Sequence, residues 1–285
     1  MIGKEARKAR GVLDLNYPVY QGMVQSWDDL KELWSFGFES IGANPKECKL
    51  LVTEPVFNPK KSRKKTCEFI FEKFQFSACQ LQIQALLSMF SEGRMTATVL
   101  DSGDSISYVV PCDEGFILKN LIKRINLAGR KITEYLTKLL FLRGYAFNSS
   151  ADFETVREIK EKLCFISQDL EQDRTLARET VCFEEEYELP DGTLVSLGKE
   201  RFEAAEILFH PERGGYEMEG LGDLVFNAIK VGIKTSRFCY FGRNSSKIEN
   251  FTQKRRISAL FIQIYERTRS FLLYLDSLFM VYLGS

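Results

Sequence analysis

The sequence has a single histidine, His210, in 285 residues. Serine or cysteine hydrolase chemistry of the His-assisted kind would rest on that residue alone. In "ILFHPERGG" it reads as a loop or helix-end residue. Excess charge of either sign is also missing, with 39 Lys and Arg against 39 Asp and Glu, so bulk charge points to neither nucleic acid nor an anionic membrane. The seven cysteines never fall as C-x-x-C. That spacing argues for free thiols in a reducing compartment and against a disulfide frame or a zinc site. The opening "MIGKEARKARGVLDL" is charged and does not read as a secretory signal. The densest apolar run, Phe271 to Leu283, has 13 residues and contains Asp276. A bilayer helix needs roughly 20 apolar residues, so burial in a core or interface is the expectation.

What is present alternates between strand and helix signals, and the order argues for an α/β fold. "CKLLVTEPV" (Cys48 to Val56) reads as a buried strand closed by Pro55. The run Lys60 to Lys65 reads as an exposed basic loop, followed by a helix from Lys65 to Phe74. Ser77 to Gly93 reads as one long helix stopped by Gly93. Gly115 to Gly144 predicts two helical stretches divided near Gly129. Ser149 and Ser150 offer N-cap oxygens to a helix whose Phe153, Val156, Ile159 and Leu163 recur at helical spacing. Pro190-Asp191-Gly192 marks a hairpin turn, and "DLVFNAIK" is amphipathic.

Three stretches could carry chemistry. "TATVLDSGDSISYVVP" (Thr96 to Pro111) places two β-rich runs around a polar tip. Gly103 there would let a phosphate approach the main chain, and Asp101 and Asp104 could hold magnesium through its water shell. The same four residues also fit a plain polar turn. On the helix from Asp152, Glu154, Arg157, Lys160 and Glu161 share one face and its margin. Such a face can grip a ribose and a base edge, or be no more than a solvated surface.

These blocks together resemble the actin family. "LLVTEPVFNPKKSRKK", "QIQALLSMF", "VLDSGD", "NLAGRKIT", "LRGYAFNSSADFETVREIKEKLC" and "YELPDGTLVSLGKERFEAAEILF" follow in that family's order. The resemblance covers roughly Gly3 to Arg237, and its details lean toward an actin-related protein. It implies an incomplete version of the actin-like ATPase fold, a duplicated ribonuclease-H-like α/β architecture. On that reading residues 1–91 belong to a first lobe, 92–237 to a second, and 238–285 to a divergent apolar tail. The implied cofactors are ATP and Mg2+, held by Gly103, Asp104, Ser105, Arg157, Lys160 and Glu161. Gln84 is implied to orient the attacking water and Asp101 to assist, with Asp101 and Asp104 on the metal side. The implied setting is cytoplasmic and cytoskeletal, in the complex that nucleates branched actin filaments, with a second actin-related protein, further subunits and actin itself as partners.

The departures are equally specific. The family's second phosphate hairpin reads "DSGDGV" followed by Thr-His; here Ser105 replaces a glycine and Tyr108 stands at the histidine position. Lys131 replaces an acid in "AGRDIT". The family's "DNGTG" loop precedes the first block, and its "SGGSTMYPG" loop has no counterpart after Arg237. The expectation is weak nucleotide binding and at most a weak ATPase. The alternative is a diverged or truncated actin-like interaction protein without ATPase activity, or a mis-spliced gene model.

Overall fold

In a computed structural model of the chain, residues 2–9 and 15–235 are described. The expected tail, 238–285, and Cys239 lie outside them. Helix α1 (Gly3–Lys8) comes first, then the short antiparallel pair β1 (Val19–Tyr20) and β2 (Met23–Val24). Helix α2 (Trp27–Ser40) starts where the Ser26 side chain accepts the Asp29 N–H, with Asp28 and Asp29 favouring the positive end of the helix. Leu30, Trp34 and Phe38 recur every four residues and are all buried. They meet Phe69, Ile70 and Phe76, and the ring of Trp34 stacks on Phe74 at 5.9 Å.

Strand β3 (Lys49–Glu54), helix α3 (Lys60–Phe69) and strand β4 (Ala78–Ile83) make a parallel β-α-β unit, with Lys49 opposite Ala78 and Glu54 opposite Ile83. Two expectations fail here. The basic run is not a loop but the first turns of α3. Pro59, at φ −59°, precedes the helix, and a fixed φ of that size suits a helix start. Its cations lie at the surface, Arg63 reaching Glu54 at 3.0 Å and Lys64 reaching Glu68 at 3.4 Å. The long helix from Ser77 is instead a strand followed by the short α4 (Gln84–Ser91), because pairing with β3 outweighs the local helical period. Gly93, at φ +65°, does follow the helix end.

Strand β5 (Ala97–Ser102) pairs with the central strand β6 (Ser107–Asp113) in an antiparallel hairpin. On its other side β6 carries β7 (Phe116–Ile117) at one end and β8 (Lys123–Ile125) at the other. The predicted α-helix after Gly115 is therefore absent; strands β7 and β8 with a short 3-10 turn at Lys119–Leu121 take its place, and the α-helix here is α5 (Gly129–Arg143). Helix α6 (Ser150–Leu163) begins with a reciprocal cap between Ser149 and Asp152, as the sequence suggests. Then come α7 (Leu170–Glu179), the hairpin β9 (Glu185–Glu188) and β10 (Leu194–Leu197), α8 (Glu200–Glu206) and α9 (Leu221–Thr235).

The central sheet is covered on both faces. Ala85, Leu86 and Met89 of α4 pack with Ile106, Tyr108, Val110 and Cys112. Val109, pointing the other way as strand alternation requires, packs with Leu221, Leu224, Val225 and Ala228 of α9. Leu136 and Leu140 of α5 meet Val156 and Ile159 of α6 in a further aliphatic cluster. The cluster under α4 spans the expected lobe boundary at residue 91. The six described cysteines are free thiols, and no helix among the described residues is long and apolar enough to cross a membrane.

Candidate functional site

The tip of the β5–β6 hairpin is a four-residue turn in which the Gly103 N–H donates to the Ile106 carbonyl at 3.1 Å. Its base is fixed by hydroxyls: those of Ser102 and Ser107 lie 2.7 Å apart, and Ser107 donates to the Leu127 carbonyl at 2.6 Å. Ser105 does not adopt a positive φ, so replacing glycine there costs the turn no backbone strain.

Helix α5 has no side-chain cap at Ala128. A helix start leaves its first N–H groups without intrahelical partners, and the hairpin supplies acceptors: Gly129 donates to the Gly103 carbonyl at 3.0 Å and Arg130 to the Asp104 carbonyl at 2.6 Å. The Lys160 ammonium of α6 donates to the Gly129 carbonyl at 3.0 Å. A Cβ on Gly129 would lie 3.3 Å from the Gly103 oxygen and 3.4 Å from Lys160 Nζ, so this approach requires glycine or a shift of its neighbours. The fold thus brings Gly103, Asp104, Ser105 and Lys160 together.

Around that point the side chains are already paired. Arg130 Nε meets Asp104 Oδ2 at 3.3 Å, and the Ser105 hydroxyl donates to the same oxygen at 3.1 Å. The Arg130 guanidinium also faces the rings of Tyr17, Phe153 and Tyr20 at 4.9, 5.4 and 5.9 Å. The Tyr17 hydroxyl donates to Glu154 Oε1. Burial, and then that carboxylate, push the Tyr17 phenol up to about 12. Arg157 bridges Glu154 at 3.1 Å and Glu161 at 3.8 Å. Of the three expected α6 residues, Lys160 reaches the start of α5, while Arg157 and Glu161 are paired along the helix.

A different arrangement holds on the face under α4. Asp101 stands opposite Tyr108 across the ladder, and Arg124 of β8 stands opposite Tyr108 on the other side. Burial raises the Asp101 carboxyl. Tyr108 is 6 % exposed, and among the described residues its hydroxyl has no partner. Gln84, the first residue of α4, donates to the Thr53 hydroxyl at 3.3 Å. It lies on the helix that covers this face, held by the end of β3 rather than by the hairpin.

The donor set suits a polyphosphate. Among the described residues neither the Asp104 nor the Ser105 N–H has a protein acceptor. Space beside Gly103 is open, since an added Cβ would meet nothing within 4 Å. Two successive free N–H groups at a turn form a concavity for an anion. Among the described residues no three His, Cys, Asp or Glu converge as a metal cage. A magnesium ion would here be held by Asp101 or Asp104 together with phosphate and water oxygens. Of the two, Asp104 has one oxygen engaged by Arg130 and Ser105, whereas Asp101 has no such partner.

Sequence reading did not single out Arg130, Tyr17 or Tyr20, and it named Gly129 only as a helix break and Phe153 only as an apolar helix position. "NLAGRKIT" carried a signal for Gly129 and Arg130 together, since a glycine opens a helix there; nothing local links Tyr17 to residues more than a hundred positions away.

A sequence profile described as Actin matches residues 1–233. The chain belongs to the actin family. Among its relatives are proteins named actin-related protein 2. That of Acanthamoeba castellanii is 47 % identical over 237 residues, 82 % of this chain and 61 % of the relative. That of Caenorhabditis briggsae is 46 % identical over 243 residues, 85 % of this chain and 61 % of the relative. That of Arabidopsis thaliana is 47 % identical over 231 residues, 81 % of this chain and 59 % of the relative. The chain spans about three-fifths of the length of these curated relatives.

Proposed function

We propose that the chain is an actin-related protein 2-like subunit that binds ATP with Mg2+ and serves in the complex that nucleates branched actin filaments. Its partners on this reading are actin-related protein 3, the other subunits of that complex, and actin, in the cytoplasmic cytoskeleton. The observation that carries the nucleotide part is the hairpin tip, where two free N–H groups lie beside an α5 start bonded to the hairpin and within reach of Lys160. The partner assignment rests on the kinship with proteins named actin-related protein 2.

Bound magnesium would neutralise phosphate charge and orient the γ-phosphate for attack by water. The protein's part is positioning. Asp104 and Ser105 would donate their N–H groups to phosphate oxygens, and Gly103 would allow the close approach. Lys160 adds a positive charge beside the same point, while Arg157 and Glu161 would line the ribose and base. Gln84 would orient water from the start of α4. The neutral phenol of Tyr108 cannot accept a proton from that water near pH 7, so nucleotide holding with slow turnover is the expected behaviour. Residues 1–91 and 92–237 would act as the two walls of the cleft.

Calorimetric titration of the full chain with Mg-ATP, alone and assembled with actin-related protein 3 and the remaining subunits, tests this. Saturable binding that Lys160→Ala weakens is expected. Absence of binding in both settings would overturn the nucleotide reading, and failure to co-assemble would overturn the partner reading.

A further inference from the structure

Helix α5 buries one stripe and leaves another apolar surface open. Leu136 and Leu140 face the aliphatic cluster shared with α6. On the arc that turns away from them, Lys138, Phe141 and Leu142 reach solvent, Phe141 being 63 % and Leu142 81 % exposed. With Thr137, Phe147 and Asn148 they line an open groove of about 420 Å³. Among the described residues Lys138 is the one charged side chain lining it. Neighbouring exposed apolar side chains of this size mark a surface that another segment or molecule covers.

The sequence supplies a segment of matching character. Residues 271–283 are the densest apolar run of the chain and lie outside the described residues. The run is too short to span a bilayer, so protein has to bury it. Its one charged residue, Asp276, lies near its middle and complements the one cation of the groove. A lone opposite-charge pair in an apolar contact fixes register more than it adds affinity. Reach is ample. Residues 236–270 join the run to Thr235 at the end of α9. Such a linker can extend to about 115 Å, whereas a domain of this size has a radius of gyration of about 18 Å. Tethering also raises the concentration of the run at the groove, which favours contact within one chain over contact with a second copy.

We propose that residues 271–283 cover this groove of their own chain, with Asp276 paired to Lys138. The contact is independent of the nucleotide reading. It closes the outer arc of α5, so a partner that binds there must first displace the run.

Carbodiimide coupling of the full chain tests this, because it joins a carboxylate directly to a lysine amine, with loss of water, only where the two touch. Peptide mass spectrometry on a mixture of isotope-labelled and unlabelled protein then tells links within a chain from links between chains. A Lys138–Asp276 link within single chains is expected. Leu142→Glu changes a side chain too exposed to disturb the fold. It should lower the yield roughly tenfold, about what burial of one leucine is worth, and should speed hydrogen exchange at residues 141–147. Lys138→Arg has no primary amine and should abolish the link while leaving that exchange as slow as in the wild type. No Lys138–Asp276 link, coupling of Asp276 to another lysine instead, or a yield that Leu142→Glu leaves unchanged would overturn the proposal. Links found only between labelled and unlabelled chains would place a second copy in the groove and overturn it too.

Discussion

Asp104 at the tip of the β5–β6 hairpin and Asp101, one pair below the Ser102–Ser107 pair, are treated in opposite ways. At the tip, Asp104 is held by Arg130 and Ser105, and its carbonyl caps α5. Asp101 faces Tyr108, whose hydroxyl has no partner among the described residues, and has its carboxyl raised by burial. Partnered polar groups stabilise the fold that holds them, whereas unpartnered buried ones cost stability unless something binds. The contrast separates a carboxylate that holds the hairpin in shape from one whose burial opposes folding.

Breaking the tip should therefore weaken the protein even without ligand. Gly129→Val places side-chain atoms against the Gly103 carbonyl and Lys160. Overpacking of that kind costs about 1–3 kcal/mol, to be read as a lowered urea midpoint with an unchanged slope. Arg130→Ala removes the ion pair to Asp104 and contacts with three aromatic rings. The pair is partly solvated, so a loss of about 1–2 kcal/mol is expected, mostly from the rings. Salt should change that loss little; a loss that vanished at high ionic strength would mean the ion pair dominates.

A smaller effect should follow Tyr17→Phe, which removes a hydrogen bond to Glu154 and should cost about 1 kcal/mol at pH 7. Its signature is alkaline. The folded phenol titrates near 12 against an ordinary 10.0, so this stabilisation is fully present below pH 10 and lost as pH rises toward 12. The variant should lack that component of alkaline destabilisation, and identical curves for both proteins would remove Tyr17 from the account.

Much of the second half of the fold was legible because its signals are local. Ser149 with Asp152, the Pro190-Asp191-Gly192 turn, and the apolar spacing of Val156 and Ile159 each report structure within a few residues. The two segments read as helix but found as strand share one cause. Ala78–Ile83 and the segment after Gly115 become strands through pairing with β3 and β6, and a window of ten residues contains no trace of a distant partner. The site divides in the same way. Gly103, Asp104, Ser105 and the α6 residues lie in recognisable blocks. The Arg130 cage is assembled from residues 17, 20 and 153, so only the folded chain reveals it.

The most direct test of the contrast is the ligand-free Tm of Asp101→Asn and Asp104→Asn, measured side by side at pH 7. Because burial raises the Asp101 carboxyl, its ionised form opposes folding at neutral pH and ceases to do so as acid protonates it. Asp101→Asn should therefore melt higher than wild type at pH 7, the difference closing below about pH 4, whereas Asp104→Asn should melt lower through loss of the charge that Arg130 faces. A lower Tm for Asp101→Asn, or no loss for Asp104→Asn, would contradict the division between a stabilising Asp104 and a destabilising Asp101.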